Sequence, residues 1–233
     1  MRQAWNKGLT KSSNASVRKT SDTMKLRQID NFAKWRIKAR KEGLIPRKYS
    51  RLKKSGDLAE LIGTTLGDGH IGVFPRTEVL RLVASGAHPA SADRWGMLIY
   101  KVFGKAPTII KRKNSNCYNV TLYQKHISER LEIPTGARAE YAFTLPDWIR
   151  NTRAYYIRFL RGLYEAEGSY SVHKSTYTYK FLFNNKNESL LRVVHEGMTA
   201  LGFHPHTSSF KVQLSRREEV AKAMKLVHFR DYK

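Results

Sequence analysis

The chain has a single cysteine, Cys117, in 233 residues. That excludes an internal disulfide and any zinc site built from several cysteines, and it fits a reducing, intracellular setting. Long apolar runs are missing too. None approaches the roughly 20 residues that a bilayer-spanning helix needs, so no membrane partner is expected. The basic N-terminus, Met1-Arg2-Gln3-Ala4-Trp5, is not followed by the apolar stretch of a secretory signal. Acidic residues are also scarce. Asp and Glu number 19 against 43 Lys and Arg, leaving a net charge of +24 and a pI near 10.2. A surplus of that size calls for a polyanionic partner, and nucleic acid is the usual one. A membrane surface is the poorer candidate, because no strongly amphipathic basic helix dominates the chain. Charge does not decide whether the nucleic acid is bound, folded or cut.

The positive charge is uneven. Residues 1–56 carry 17 basic and 3 acidic residues, net +14, and the remainder carry 26 and 16, net +10. Residues 1–20, rich in Ser, Thr, Asn and Lys, read as a flexible basic arm. From Ser21 to Glu42 apolar residues recur at Leu26, Ile29, Ala33 and Ile37, with Phe32 and Trp35 beside them. This spacing predicts one amphipathic helix with a cationic outer face, stopped by Gly43 with Pro46 close behind. Residues 1–55 are thus expected to form a basic extension, either a solvated appendage or an additional DNA-tracking element.

Beyond Gly56 an internal repeat emerges. One copy runs from Leu58 to Gly69 through Leu61-Ile62-Gly63-Thr64-Thr65-Leu66-Gly67-Asp68-Gly69. The other runs from Tyr156 to Gly168 through Leu160-Arg161-Gly162-Leu163-Tyr164-Glu165-Ala166-Glu167-Gly168. Both are helix-length and end in acid-Gly. The stretches beyond the two copies also match. Strands are predicted at 70–74 and 79–83, a helix at 90–103, strands at 108–112 and 118–123, and a short helix at 126–131. In the second half the same order gives strands at 169–173 and 177–183, a helix at 188–201, strands at 207–209 and 210–214, and a last helix from Arg217. Tyr177, Tyr179, Phe181 and Phe183 mark one of these strands at period two. The expected fold is α+β, two pseudo-symmetric αββαββα halves at 56–132 and 151–233, joined by a linker at 133–150.

Small residues explain why the two repeat helices should meet. Gly63 and Gly67 on one, and Gly162 and Ala166 on the other, are spaced i,i+4, which lines one face and lets backbones approach. Asp68 and Glu167 sit one residue past those faces, so a pseudo-twofold packing brings their carboxylates together. Gly69 and Gly168 are read as left-handed turns ending each helix, and Asp57 with Glu60 as a capping box. A carboxylate at a helix C-terminus faces the negative end of the dipole, at a cost of about 0.3–1 kcal/mol, and a second one adds repulsion. Divalent cations would neutralise such a pair, as in two-metal phosphoryl chemistry.

The segments Leu61–Gly69 and Leu160–Gly168 resemble the two signature helices of the LAGLIDADG homing endonucleases, and Leu145-Pro146-Asp147-Trp148-Ile149 is similar to a family segment preceding the second helix. The resemblance covers about residues 56–230. It implies a DNA-binding saddle of two antiparallel sheets over a long asymmetric site. It also implies a staggered double-strand cut across the minor groove, with Mg²⁺ or Mn²⁺ held between Asp68 and Glu167. Glu in place of Asp in the second copy still supplies a carboxylate, though its longer reach shifts the metal geometry. The family places a basic residue near the end of the last strand of each half. Aligning Val120-Thr121-Leu122-Tyr123-Gln124-Lys125 with Val212-Gln213-Leu214-Ser215-Arg216-Arg217 puts Lys125 opposite Arg217, with Arg216 a rival for the second position. The resemblance implies an intron-encoded monomer, and a free-standing enzyme is expected over an intein-embedded one, because the chain begins Met1-Arg2 and ends Asp231-Tyr232-Lys233 without intein splicing residues.

DNA contacts are expected from the strand faces away from the helices. Tyr118, Val120 and Leu122 would pack inward, as would Val212 and Leu214. Asn119, Thr121, Tyr123, Lys211, Gln213 and Ser215 would face out, joined by Arg76, Arg81, Lys111, Lys113, His173 and Lys180. Such side chains read base edges or hold phosphates. His204-Pro205-His206 lacks further ligands for a metal site, Cys117 lacks a His or Asn arrangement for nucleophilic chemistry, and Gly67-Asp68-Gly69 lacks the Lys-Ser/Thr of a nucleotide loop. The rival readings are an RNA-binding maturase, with host intron RNA as partner, a cleavage-inactive DNA-binding protein on the same scaffold, and a ribosomal or other structural RNA-binding protein.

Overall fold

The two small-residue faces pack against each other, and the two sheets and remaining helices of residues 50–233 are arranged around that contact. The computed structural model describes residues 4–44 and 48–232, in two units, residues 1–49 and 50–233. Within the first unit lie α1 (Ala15–Leu26) and α2 (Ala33–Lys41). Asn14 caps α1, its side chain accepting from the amides of Ser16 and Val17, so residues 1–20 are not all an extended arm. The single helix expected over 21–42 is interrupted. Gln28 takes a left-handed φ of 50°, and the Asp30 side chain instead accepts from the Phe32 amide, a local bond that competes with the helical ladder. Gly43, at φ +74°, follows the end of α2 as expected. Pro46 lies outside the described residues. Trp5, Phe32 and Trp35 are exposed and Ala39 is buried.

The second unit begins with α3 (Gly56–Gly67), then β1 (His70–Phe74), β2 (Thr77–Ser85), α4 (Pro89–Phe103), β3 (Thr108–Lys111), β4 (Cys117–Gln124) and α5 (Ile127–Leu131). A short α6 (Asp147–Arg150) interrupts the linker. The pattern then repeats as α7 (Arg153–Glu167), β5 (Gly168–His173), β6 (Thr178–Asn184), α8 (Glu188–Ala200), β7 (His206–Ser208), β8 (Lys211–Leu214) and α9 (Arg217–Leu226). The strands form two antiparallel sheets with orders β1-β2-β4-β3 and β5-β6-β8-β7. Each half is αββαββα, as the sequence pattern requires.

Alternation decides the faces. Leu80, Leu82, Ala84, Val120 and Leu122 are buried in the first half, and Phe181, Phe183, Val212 and Leu214 in the second. Tyr164 of α7 stacks on Phe181 with ring centroids 4.3 Å apart. Tyr177 falls out of the predicted strand: a 3-10 turn at Lys174–Thr176 makes the hairpin, and Tyr177 is left-handed and exposed.

The α3–α7 contact is reciprocal. A Cβ on Gly63 would lie 2.3 Å from the Phe159 carbonyl, and one on Gly162 would lie 2.2 Å from the Glu60 carbonyl. Each carbonyl belongs to the residue three before the facing glycine, the relation a twofold demands. Hydrogen leaves room for the backbones to touch where a methyl would not.

The ends of these helices differ from expectation in two ways. Ser55, not Asp57, caps α3, accepting from the Leu58 amide. Asp57 and Glu60 are taken instead by Arg158 of α7, and buried Glu60 also pairs with Arg94 and lies 3.8 Å from Arg161. Gly69 and Gly168 are not left-handed; Gly168 has φ −82° and ψ 148°. They are glycines because of close approach. A Cβ on Gly69 would meet the Thr65 backbone at 2.5 Å, and one on Gly168 the Tyr164 carbonyl at 2.2 Å.

Candidate active site

Asp68 is the C-cap of α3 and Glu167 the last residue of α7. The small faces bring these ends together: a Cβ on Gly67 would lie 2.5 Å from Ala166 Cβ and 3.3 Å from Glu167 Cγ. The expectation that the packing delivers both acids to one place is therefore matched by the backbone geometry. Burial, and then the charge of Glu167, push the Asp68 carboxyl up to about 7, and burial raises Glu167 as well. Asp68 is nonetheless exposed to solvent. A group half shielded and facing a like charge is the arrangement that marks chemical sites.

Among the described residues, neither acid has an ion pair, and no cluster of three or more His, Cys, Asp or Glu side chains is present. The donor set is two carboxylates. Hard oxygen donors of this kind fit Mg²⁺ or Mn²⁺, which keep much of their shell as water or substrate phosphate. Beside Glu167 opens a cavity of about 700 Å³, lined also by Gly67, Arg138, Asn184, Lys186 and Lys211. Cations and amides thus line the cavity beside one acid.

No family model matches the sequence, and no curated protein does. Solved structures do. A variant of the homing endonuclease I-DmoI, in complex with its target DNA and in the presence of Mn, matches with a TM-score of 0.51 at 16% identity, over 76% of this chain and 98% of that one. The N-terminal LAGLIDADG domain of DUF199/WhiA matches with 0.51 at 18% identity, over 75% and 82%. Full-length DUF199/WhiA from Thermatoga maritima gives 0.52 at 17%, over 75% and 55%. The fold is the LAGLIDADG fold. At these identities the likeness extends to the fold alone.

On the LAGLIDADG scaffold the sheet register locates the remaining candidates. Val120 and Val212 occupy equivalent places, so Lys125 does correspond to Arg217. Neither is brought beside the acids. Gln124 is level with Glu78, which is level with Val73, five residues beyond Asp68. Arg217 lies 5.3 Å from the Tyr179 ring, and Tyr179 is level with Val172, five residues beyond Glu167. At about 3.3 Å per strand residue this is roughly 15 Å along each sheet. The last strand of each half runs away from the helix end, so its final residue travels toward the hairpin. Arg216 is paired with Glu219 at 3.1 Å. The cations that share a cavity with Glu167 are Arg138, Lys186 and Lys211, the last at the start of β8 and level with Asn184.

Arg81 and Thr121 are level with one another, as are Gln213 and Leu182. With Asn119, Tyr123, Lys180, Lys211 and His173 they share the sheet faces away from the buried alternation. Arg76 lies in the β1–β2 turn and Lys113 in the β3–β4 turn, while Ser215 follows β8 and accepts from Gln213 at 2.5 Å. Lys111 is a correction. It is level with Tyr118 and its Nζ lies 5.9 Å from that ring, which places it on the face of β3 turned toward the helices. Arg112, one residue on, reaches the outer face and donates to Asn119 at 2.8 Å. Sequence reading misses Arg112 because β3 alone does not reveal its register against β4.

Proposed function

We propose that the protein is a metal-dependent, site-specific DNA endonuclease of the homing type, making a staggered double-strand cut in a long asymmetric site. The observation that carries this reading is the pairing of Asp68 with Glu167 at adjoining helix ends, unneutralised in a chain of net charge +24. The presence of Mn and DNA with an I-DmoI variant of the same fold supports it. Asp68 and Glu167 would hold Mg²⁺ or Mn²⁺. Bound there, the ion supplies charge to the phosphate and a more acidic water. Lys211 would offset phosphate charge from the Glu167 side. The outer sheet faces would read base edges through Arg81, Arg112, Asn119, Thr121, Lys180 and Gln213, while Arg76 and Lys113 hold phosphates. Both acids come from one chain, so a monomer suffices. Residues 1–55 serve as an additional DNA-tracking element, and the gene lies within an intron.

Incubation with a library of DNA duplexes and Mg²⁺ should yield a discrete cut site. Asp68→Asn and Glu167→Gln should bind the same duplex and leave it intact. Unchanged cutting by Asp68→Asn refutes the site. The second reading, favoured by the WhiA domain's sharing the fold, is a cleavage-inactive DNA-binding protein or an intron maturase. It predicts tight DNA or RNA binding that needs no metal and is followed by no cut.

A further inference from the structure

The linker sends one charged side chain to the acid end of the helix pair. Arg138 Nη2 donates to the Thr65 carbonyl at 2.8 Å and also to the Gly69 carbonyl. Those two carbonyls bracket Asp68: one belongs to the turn before it, the other to the residue after it. The backbone of Arg138 is pinned in turn. Asn187, 4% exposed, donates from Nδ2 to the carbonyls of Arg138 at 2.9 Å and Tyr141 at 2.7 Å, and its Oδ1 caps α8. A continuous set of bonds therefore runs from the second half, through the linker, to the turn that carries the first acid.

For stability alone the arrangement is a poor bargain. Nε and Nη1 of Arg138 are buried with no hydrogen-bond partner, and each such donor costs about 1–3 kcal/mol. Burial accordingly lowers the arginine's pKa. A cation at a helix C-terminus returns about 0.3–1 kcal/mol. Helix ends ordinarily take water or a glycine turn instead. Meanwhile the last turn of α3 carries Asp68 against the like charge of Glu167, and Gly69 has no side chain with which to anchor. A terminal turn loaded in this way would fray.

We propose that Arg138 is a positioning residue for Asp68, bracing the Thr65–Gly69 turn so that the two carboxylates stay presented together to a divalent cation. This rests on the reading of the acids as a metal pair. Mn²⁺ binding to the full chain, followed by electron paramagnetic resonance, tests it without reference to cleavage. Arg138→Met should weaken Mn²⁺ by 10–100-fold, the usual effect of removing a group that orients a ligand. The amides of Asp68 and Gly69 should exchange hydrogen faster in that variant. On cleavable DNA, kcat should fall while KM stays within about twofold. Arg138→Lys should recover most of each effect, because a single nitrogen already bridges both carbonyls. Circular dichroism melts verify that both variants fold. Unchanged Mn²⁺ affinity or unchanged amide exchange in Arg138→Met overturns the proposal, as does an equal loss in Arg138→Lys. A wild type that binds Mn²⁺ through Asp68 but cuts nothing would sink the endonuclease reading and leave the brace to be judged by affinity and exchange.

Discussion

Replacing Asp68 by Asn should stabilise the metal-free protein at and above neutral pH and do nothing in acid. The Asp68 carboxyl is raised from 3.8 to about 7, by burial and then by Glu167. A carboxyl whose folded pKa exceeds its unfolded one favours the fold only while it is protonated. Its contribution is full below about pH 4 and is lost as pH rises through about 7. Undiminished, a rise of that size corresponds to about 4 kcal/mol. Asp68 is exposed, however, and solvent screening reduces the effect to about 1–2 kcal/mol. For a unit the size of residues 50–233, each kcal/mol moves the melting temperature by about 2–4 °C. Asp68→Asn should thus melt roughly 2–8 °C above wild type at pH 8 in the presence of a chelator, and level with it at pH 4. Excess Mg²⁺ at pH 8 should raise the wild type and leave the variant where it was. Scanning calorimetry across pH 4–8 measures both. Parallel pH curves for the two proteins would show that the site carries no strained carboxylate.

Four further substitutions probe the packing and the cations. Gly63→Ala places a methyl against the Phe159 carbonyl, where 2.3 Å is available. Against a backbone carbonyl the overpacking cost sits at the upper end, about 3 kcal/mol; less about 1 kcal/mol of helix propensity, this predicts a net loss of about 2 kcal/mol in urea unfolding, and wild-type stability would mean the helices do not touch there. Lys211→Ala should lower kcat by at least about tenfold. Lys125→Ala and Arg217→Ala, each about 15 Å along its sheet from an acid, should keep kcat and reduce the salt slope of DNA binding by about 1. Equal kcat losses in all three would return the catalytic role to the strand ends.

Much of this fold is legible in the sequence because repetition and periodicity are local. The i,i+4 small residues announce the helix contact, and alternation such as Val120-Thr121-Leu122 announces which strand face is buried. Asp68 and Glu167 are legible for the same reason, as matched positions in a repeat. What escapes is set by non-local geometry. Lys125 and Arg217 do correspond to each other, yet only the antiparallel register shows that their strands run away from the acids. Lys111 and Arg112 differ by one residue, and a one-residue change of register exchanges their faces. Asp57 and Glu60 have the spacing of a capping box, but Arg158, about a hundred positions away, competes for them successfully. Arg138 has no sequence signal at all, being one arginine in a loop of a basic chain. At Gly69 and Gly168 the residue type is informative and the expected cause is wrong, since a crowded carbonyl and a left-handed turn both exclude a side chain.

The helix pair treats charge in opposite ways at its two ends. Near the start of α3, Glu60 is 1% exposed and is neutralised by Arg94 and Arg158, with Arg158 also bonded to Asp57 at 2.5 Å. At the far end Asp68 and Glu167 have no such partners among the described residues. A buried ion network adds little net stability over a well-packed apolar one, but it is intolerant of displacement. Arg158 lies on α7 and both of its acids on α3, so sliding one helix along the other by a single turn, about 5.4 Å, would strand a buried carboxylate. The same slide would carry Asp68 away from Glu167. Neutralised charge at one end thereby fixes the register that keeps unneutralised charge together at the other.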